Sequence, residues 1–263
     1  MTLTVDTVAT LAARLQRAAI EGQAGTPLSD DFADLTEADA YAIQAELLRL
    51  KGGTRAGYKL GFTSAAMREQ MGVDHPNSGV LLADMRLADG RLPAGVLIQP
   101  RVEPEIAILL GRDLHGAQVT PDDVAAATAA VLPAIEVVDS RYRDYRFKSV
   151  DNIADNSSAA RYVLGAPRAL SDVGDLRLVG VLLSIDGVRV DQGVGAAALD
   201  SPLAAVAWLA GHLAAGGAGL RAGEVILTGG LTRAYALSAG QTASAEFGQG
   251  LGSVVLQHSA QPA

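Results

Sequence analysis

Apolar residues over the first fifty positions recur at helical spacing. Val8, Leu11, Leu15 and Ala18 fall on one face of a helix that Gly22 stops. A second amphipathic helix starts at Thr36, where Asp39 completes a capping box. Ala40, Ile43, Leu47 and Leu50 form its apolar face, and Gly52-Gly53 ends it. Ser64 to Met71 reads as a short third helix closed by Gly72, and Asp74 to Gly79, with its Pro and Asn, as a loop. Near Leu87 the pattern changes: Gly and Pro become frequent and short β-prone runs replace the helical periods. The runs are Val102–Leu110, Ala134–Val138, Arg177–Ile185, Val188–Val190, Val225–Leu227, Ala243–Phe247 and Ser253–Leu256. Asp186-Gly187 between two of them is a hairpin signal, because glycine accepts the positive φ of a two-residue turn. Helices interrupt the strands after Thr120, with Pro121 at the first position and Asp123 completing the box, and from Pro202 to about Leu213. The pattern predicts an α+β chain with a smaller, mostly helical N-terminal region, residues 1–86, and a β-rich domain, residues 87–263.

Composition narrows the classes of function. With 263 residues, 49% of them hydrophobic and 19% charged, the chain is long and apolar enough to bury a sizeable core. A formal net charge of −8, with no compensating run of Lys or Arg, argues against nucleic acid as a partner. The absence of cysteine excludes disulfides, thiolate metal sites and a Cys nucleophile, and fits a reducing compartment; cytoplasm is the expected location. Met1 to Ile20 carries Asp6 and Arg14 within its apolar pattern and does not read as a signal peptide. Ser201 to Leu220 has no charged residue and the nominal spanning length of about 20 residues. Its Ala and Gly content, its Ser-Pro start and His212 favour a buried helix over a membrane span.

Three acidic positions stand out against this apolar background. Glu103 and Glu105 lie two apart at the start of an apolar strand, so both carboxylates project from one face. Side by side they repel, and a divalent cation between them removes the conflict; two solvated carboxylates at a strand end are the simpler alternative. Pro104 between them suggests an edge strand or a bulge. Glu136 sits in the apolar run Val131-Leu-Pro-Ala-Ile-Glu-Val-Val, where an ionised carboxylate needs a cation or strong donors, an ion pair with Arg141 being the other possibility. Three carboxylates form an oxygen-only donor set that suits Mg²⁺ or Mn²⁺ better than Zn²⁺, and none of the four histidines stands at a zinc-like spacing. Lys59, between small and apolar residues, is placed either to face an enolate or carboxylate or simply to snorkel from a strand end. The Thr63 and Ser64 hydroxyls would bind an anion or cap the following helix. The polar stretch Asp151 to Ser158 reads as a plain loop or an active-site loop.

Five blocks in order, Gly57-Tyr-Lys-Leu-Gly-Phe-Thr-Ser, Pro100-Arg-Val-Glu-Pro-Glu-Ile-Ala, Pro133-Ala-Ile-Glu-Val-Val-Asp-Ser-Arg, Ala154-Asp-Asn-Ser-Ser and Leu227-Thr-Gly-Gly, resemble the hydratase/decarboxylase branch of the fumarylacetoacetate hydrolase superfamily. The resemblance covers nearly the whole chain. It implies a mixed β-sandwich-like roll, a Mg²⁺ or Mn²⁺ site with Glu103, Glu105 and Glu136 as ligands, and Lys59 as a catalytic or substrate-binding residue. Thr63, Ser64, Arg141, Asn156 and Thr228, from the same blocks or the arginine-rich stretch after Ser140, are the expected substrate-binding residues. The implied substrate is a small 2-oxo or 2-hydroxy dienoate acid from catabolism of aromatic compounds. The Ser140 to Phe147 and Thr228 to Thr232 segments look more like the branch's decarboxylases of 2-oxohex-3-enedioate. Gly193 to Leu209 looks at least as much like its 2-hydroxypenta-2,4-dienoate hydratases, while Asp200-Ser-Pro replaces the Gly-containing turn common in both. An acylpyruvate-type C–C hydrolase and a non-catalytic subunit are the further alternatives. A homo-oligomer, and a complex with a homologous hydratase or decarboxylase subunit, follow as expectations from the resemblance.

Overall fold

A computed structural model describes residues 3–260. The chain begins with α1 (Val5–Glu21), α2 (Leu28–Asp31) and α3 (Glu37–Lys51), followed by β1 (Arg55–Gly61), α4 (Ala65–Met71) and β2 (Asn77–Leu82). Next come β3 (Arg91–Leu92), β4 (Arg101–Leu110), α5 (Pro121–Ala127), β5 (Thr128–Val138), α6 (Ser149–Ala154), β6 (Ala159–Leu164) and α7 (Leu170–Val173). The hairpin of β7 (Gly180–Ile185) and β8 (Val188–Val194) leads to α8 (Pro202–Ala215), β9 (Val225–Leu227), β10 (Tyr235–Ala236), β11 (Thr242–Phe247) and β12 (Gly252–His258).

The strands form two packed sheets. One has seven strands in the order β2-β1-β9-β4-β5-β6 with β10 beside β4; the other has five in the order β3-β12-β11-β7-β8. Ile106, Ile108, Val131 and Ile135 of the first sheet meet Val181, Ala243, Val254 and Leu256 of the second in one apolar core. Each such side chain removed from water contributes about 1.5 to 3 kcal/mol. α8 closes this core with Ala205, Val206, Leu209 and Ala210, all fully buried. The stretch Gly195–Ala215 is long and apolar enough to cross a membrane by length and composition alone. A third of it is buried, where α8 packs on the core and against α5, and this accounts for the apolar residues on that face.

A second core joins α1 and α3 to α6 through Leu11, Leu15, Ile43, Tyr142 and Ile153. The Thr36/Asp39 capping box and the left-handed Gly22 set the helix ends as the sequence pattern requires. Asp151 ties α2 to α6: its carboxylate accepts from the Ser29 N–H and hydroxyl at 2.8 and 2.7 Å.

Several elements differ from the sequence reading. β1 was not read as a strand because its glycines and Lys59 break any alternation, yet it is central, pairing β2 on one side and β9 on the other. Gly57 permits this: a Cβ there would lie 1.8 Å from the Val225 carbonyl oxygen. β2 takes the second half of the expected Asp74–Gly79 loop, so β1 and β2 belong to the main sheet and the division at residue 87 cuts through it. The helical part ends with α3. β5 begins at Thr128, six residues earlier than read, because Ala129 and Ala130 carry no strand signal of their own. Arg177 and Leu178 form a tight turn capped by Asp175 rather than the start of β7, and residues 151–158 are the end of α6 and a turn, not a plain loop.

Candidate metal centre and active-site cleft

β4 and β5 pair in antiparallel register with Glu103 directly opposite Glu136, and period-two alternation puts Glu105 on the same face. Carboxylate oxygens of the three residues lie within 4.8 Å of one another. Pro104 is tolerated between the two glutamates because β4 is locally unpaired on its other side. There its carbonyl accepts from Leu231 N–H, between the stretches paired with β10 and with β9. The strand is therefore central overall and an edge only at this point, which refines the edge-or-bulge expectation. The facing Gly229-Gly230 segment makes a close approach. A Cβ on Gly230 would lie 2.8 Å from Glu103 Oε1, and Gly229, at φ +110°, donates its N–H to Glu105 Oε2 at 2.7 Å.

Lys59 reaches the cluster from β1. It is 3% exposed, its Nζ lies 3.2 Å from Glu136 Oε2, and it donates to the Ser157 carbonyl at 3.0 Å and hydroxyl at 3.3 Å. Burial opposes its charge, but the three glutamates outweigh this and hold the ammonium above its ordinary pKa. One cation against three carboxylates leaves the cluster acidic. Burial, reinforced by Glu136 and offset in part by Lys59, pushes Glu103 up to about 7. Burial raises Glu105 well above the usual range, with Glu136 adding to it, and raises Glu136 as well. Glu105 Oε1 and Glu136 Oε1 are buried without a hydrogen-bond partner, and Glu136 Oε2 has only the Lys59 charge nearby. Orphaned buried oxygens of this kind, all hard donors, fit a Mg²⁺- or Mn²⁺-like cation.

The cluster opens on a cleft of about 360 Å³. Arg101, two residues before Glu103 on the same strand face, lies in it with its guanidinium 3.9 Å from the centre of the Tyr145 ring. Tyr145 is fixed in turn by its hydroxyl, which shares its proton between the Gln99 and Val138 carbonyls at 3.0 and 2.9 Å. Ser157, Ser158 and Asn152 line the wall behind Lys59. Asn77 backs that wall, accepting from the Ser157 hydroxyl at 2.8 Å and donating to Asn152 at 2.8 Å.

The sequence-read residues divide between this cleft and its surroundings. Lys59, Glu103, Glu105 and Glu136 come together. Thr63 is buried against Gly229, and Ser64 caps α4 by accepting from Met67 N–H. Thr228 is fully buried and donates to the Ile106 carbonyl. Arg141 and Asn156 do not line the cleft: Arg141 is held by Asp155, and Asn156 brackets the backbone of Val80 with hydrogen bonds of 2.8 and 2.9 Å. Arg101 and Tyr145 were missed as cleft residues, whereas Asn152, Ser157 and Ser158 come from the Asp151–Ser158 stretch read as a plain loop or an active-site loop. Arg101 carried a signal, since strand alternation puts it on the face of Glu103 and Glu105; Tyr145 carried none, because a left-handed turn at Asp144 and Tyr145 aims it.

Residues 70–257 match the family model described as fumarylacetoacetate (FAA) hydrolase C-terminal. The chain belongs to the fumarylacetoacetate hydrolase family. Among family members it is 44% identical to 2-keto-4-pentenoate hydratase of Burkholderia vietnamiensis (strain G4 / LMG 22486), over 95% of this chain and 96% of that one. It is 39% identical to 4-oxalocrotonate decarboxylase of Pseudomonas putida over 96% and 97%. The solved structure of 4-oxalocrotonate decarboxylase from Pseudomonas putida G7, complexed with magnesium and adipate, superposes with a TM-score of 0.93 at 37% identity, covering 97% of this chain and 98% of that one. The fold of this family is thus the mixed two-sheet roll described above.

Proposed function

We propose that the protein is a divalent-metal-dependent lyase that decarboxylates 2-oxohex-3-enedioate (4-oxalocrotonate) to 2-hydroxypenta-2,4-dienoate, with Glu103, Glu105 and Glu136 holding Mg²⁺ or Mn²⁺. The observation that carries this choice is Arg101. Its guanidinium has no carboxylate partner among the described residues and stands in the cleft on the strand face of the metal-binding glutamates, where a substrate's second carboxylate needs a cation. The complex of the P. putida G7 decarboxylase with adipate, a six-carbon dicarboxylate, supports the same reading.

When bound, the metal ion would supply a Lewis acid for the C1 carboxylate and C2 oxygen of a 2-oxo acid. The C5–C6 bond breaks with loss of CO₂. Its electron pair forms C4=C5, the former C3=C4 pair becomes C2=C3, and the carbonyl pair ends on the C2 oxygen, which takes one proton. Lys59, kept charged and aimed by Ser157, is the donor for that proton. Arg101 holds the dicarboxylate in register, and the apolar Phe62, Met67 and Met71 limit water on that side of the cleft.

Hydration of 2-hydroxypenta-2,4-dienoate is the second reading, favoured by the higher identity to the hydratase. It requires protonation at C5 and addition of water at C4, so it needs a positioned water rather than a second anion site. The test is turnover of each acid with Mg²⁺, with Mn²⁺ and with chelator, in wild type and Arg101→Ala. Metal-dependent CO₂ release that falls about 10- to 100-fold in kcat/KM on losing Arg101 supports the decarboxylase. Conversion of the dienoate alone, unchanged by the substitution, establishes the hydratase instead. We place the protein in the cytoplasm. The open face of the five-stranded sheet, with Leu182, Val194 and Val255 exposed, supports an oligomer or a complex with a homologous subunit.

A further inference from the structure

Behind the turn that holds Lys59 lies a second cavity of about 260 Å³, enclosed by α1, α3 and the chain around Asp139–Arg141 and Ala159–Arg161. Leu15, Leu47 and Leu48 give it an apolar wall. The opposite wall brings Lys51, Arg141 and Arg161 against a single lining carboxylate, Asp139. Asp139 is already occupied, accepting from the N–H groups of Ile98 and Gln99 at 2.9 and 2.7 Å. Arg141 is 8% exposed; its Nε and Nη2 bind Asp155, while its Nη1 has no partner among the described residues. Arg141 is paired with Asp155, whereas Lys51, at the exposed rim, and Arg161 have no carboxylate partner among the described residues, so the wall carries more positive charge than Asp155 and Asp139 compensate.

We propose that this cavity is a binding site for a small organic monocarboxylate, its head on Lys51, Arg141 and Arg161 and its apolar tail along Leu15, Leu47 and Leu48. The volume is just below the roughly 300–1,000 Å³ of pockets for drug-sized ligands, which suits a smaller acid. The site also reaches the cleft. Asp155, gripped by Arg141 through side chain and main chain, is followed by Asn156, Ser157 and Ser158, all in the left-handed region at φ 53°, 52° and 57°. The carbonyl of the middle residue receives the Lys59 ammonium. An anion on Arg141 competes with Asp155 for the guanidinium and shifts the turn that positions Lys59, so occupancy of the cavity alters turnover.

Hexanoate is the probe, titrated calorimetrically into the full chain with Mg²⁺ and with chelator. Lys51→Glu reverses one charge at the rim and Ala19→Trp fills the cavity from the exposed side of α1; neither residue belongs to the catalytic cleft. The expected result is one saturable site that survives chelation, weakens roughly tenfold in each variant, and leaves turnover without hexanoate unchanged. Hexanoate should shift wild-type kcat by about fivefold, the low end of coupling between sites, and should not do so in Lys51→Glu. Absence of saturable heat at millimolar hexanoate, equal affinity in both variants, or binding that disappears with the metal each overturns the proposal. So does a change of sedimentation in Lys51→Glu without hexanoate binding, which makes a second copy of the chain the occupant. Binding without any effect on kcat overturns the link to Lys59. The calorimetric arms need no turnover, so their outcome is separate from that of the decarboxylase reading.

Discussion

Two buried clusters of charged side chains lie on either side of the Asn156–Ser158 turn, and they complete their bonding differently. Around Arg141, the Asp155 carboxylate receives the Nε and the main-chain N–H of the same residue, and its carbonyl receives Nη2. Around Lys59, three glutamates share one ammonium and one backbone donor, and Glu105 Oε1 and Glu136 Oε1 receive nothing. A paired carboxylate with its donors in place is part of the scaffold. An equally buried cluster with open lone pairs and excess negative charge is unfinished until a cation enters, and this separates a functional site from a structural ion pair of similar depth.

Removing one proposed ligand breaks the comparison at its strongest point. Glu105→Gln should lower kcat/KM by roughly three to four orders of magnitude, because Lewis-acid stabilisation contributes several kcal/mol. The same substitution should leave the metal-free protein no less stable, since it removes a repelling charge; thermal melts with and without Mg²⁺ check both halves. Retained activity, or a normal metal-induced rise in Tm, would remove Glu105 from the ligand set.

On the finished side, Asp155→Asn leaves Arg141 charged, buried and without its carboxylate. Breaking such a pair costs about 3–5 kcal/mol, read as a lower urea midpoint at unchanged slope. Asp155 itself is raised to about 6, burial outweighing Arg141, so the pair adds less at neutral pH than its contacts suggest. A loss below about 1 kcal/mol would show that Arg141 finds water instead.

The two regions also differed in how far the sequence revealed them. Glu103, Glu105 and Glu136 were legible because carboxylates in apolar strands are conspicuous and strand alternation fixes their common face. Lys59 was legible as an odd charge among small residues, although its strand was not, since β1 is held by close approach of Gly57 to β9 rather than by an apolar pattern. Arg141 was assigned to substrate from its place in an arginine-rich stretch. Its actual partner, Asp155, is set by the path of a turn built from three left-handed non-glycine residues, and sequence pattern carries no information on such a turn. Arg101 was available from alternation alone.

Proton and metal compete for the unfinished cluster, and the sign is fixed. Glu103 has a folded pKa of about 7 against an ordinary 4.5. The metal-free native state therefore holds a proton that the unfolded chain has released, and loses stability as pH rises from about 4.5 through 7, by on the order of 3 kcal/mol. Mg²⁺ requires the ionised form, so the Tm increase it gives should grow from pH 6 to pH 8. An increase that is flat or falls over that range would contradict the shared-carboxylate picture.

The smallest effect tests the wall between the two regions. Ser157 gives Lys59 a carbonyl at 3.0 Å and a hydroxyl at 3.3 Å, donates that hydroxyl to Asn77, and holds φ at 52°. Ser157→Ala removes the hydroxyl and keeps the strained backbone, so stability should fall by about 1 kcal/mol and kcat by a few-fold, the main-chain contact to Lys59 being retained. Ser157→Gly removes the same hydroxyl but relieves the left-handed conformation, about 1 kcal/mol in the opposite direction. If the hydroxyl aims Lys59, both variants lose activity alike while only the alanine variant loses stability. If the backbone conformation of the turn does the aiming, the alanine variant keeps its kcat and the glycine variant, freed to move, loses it.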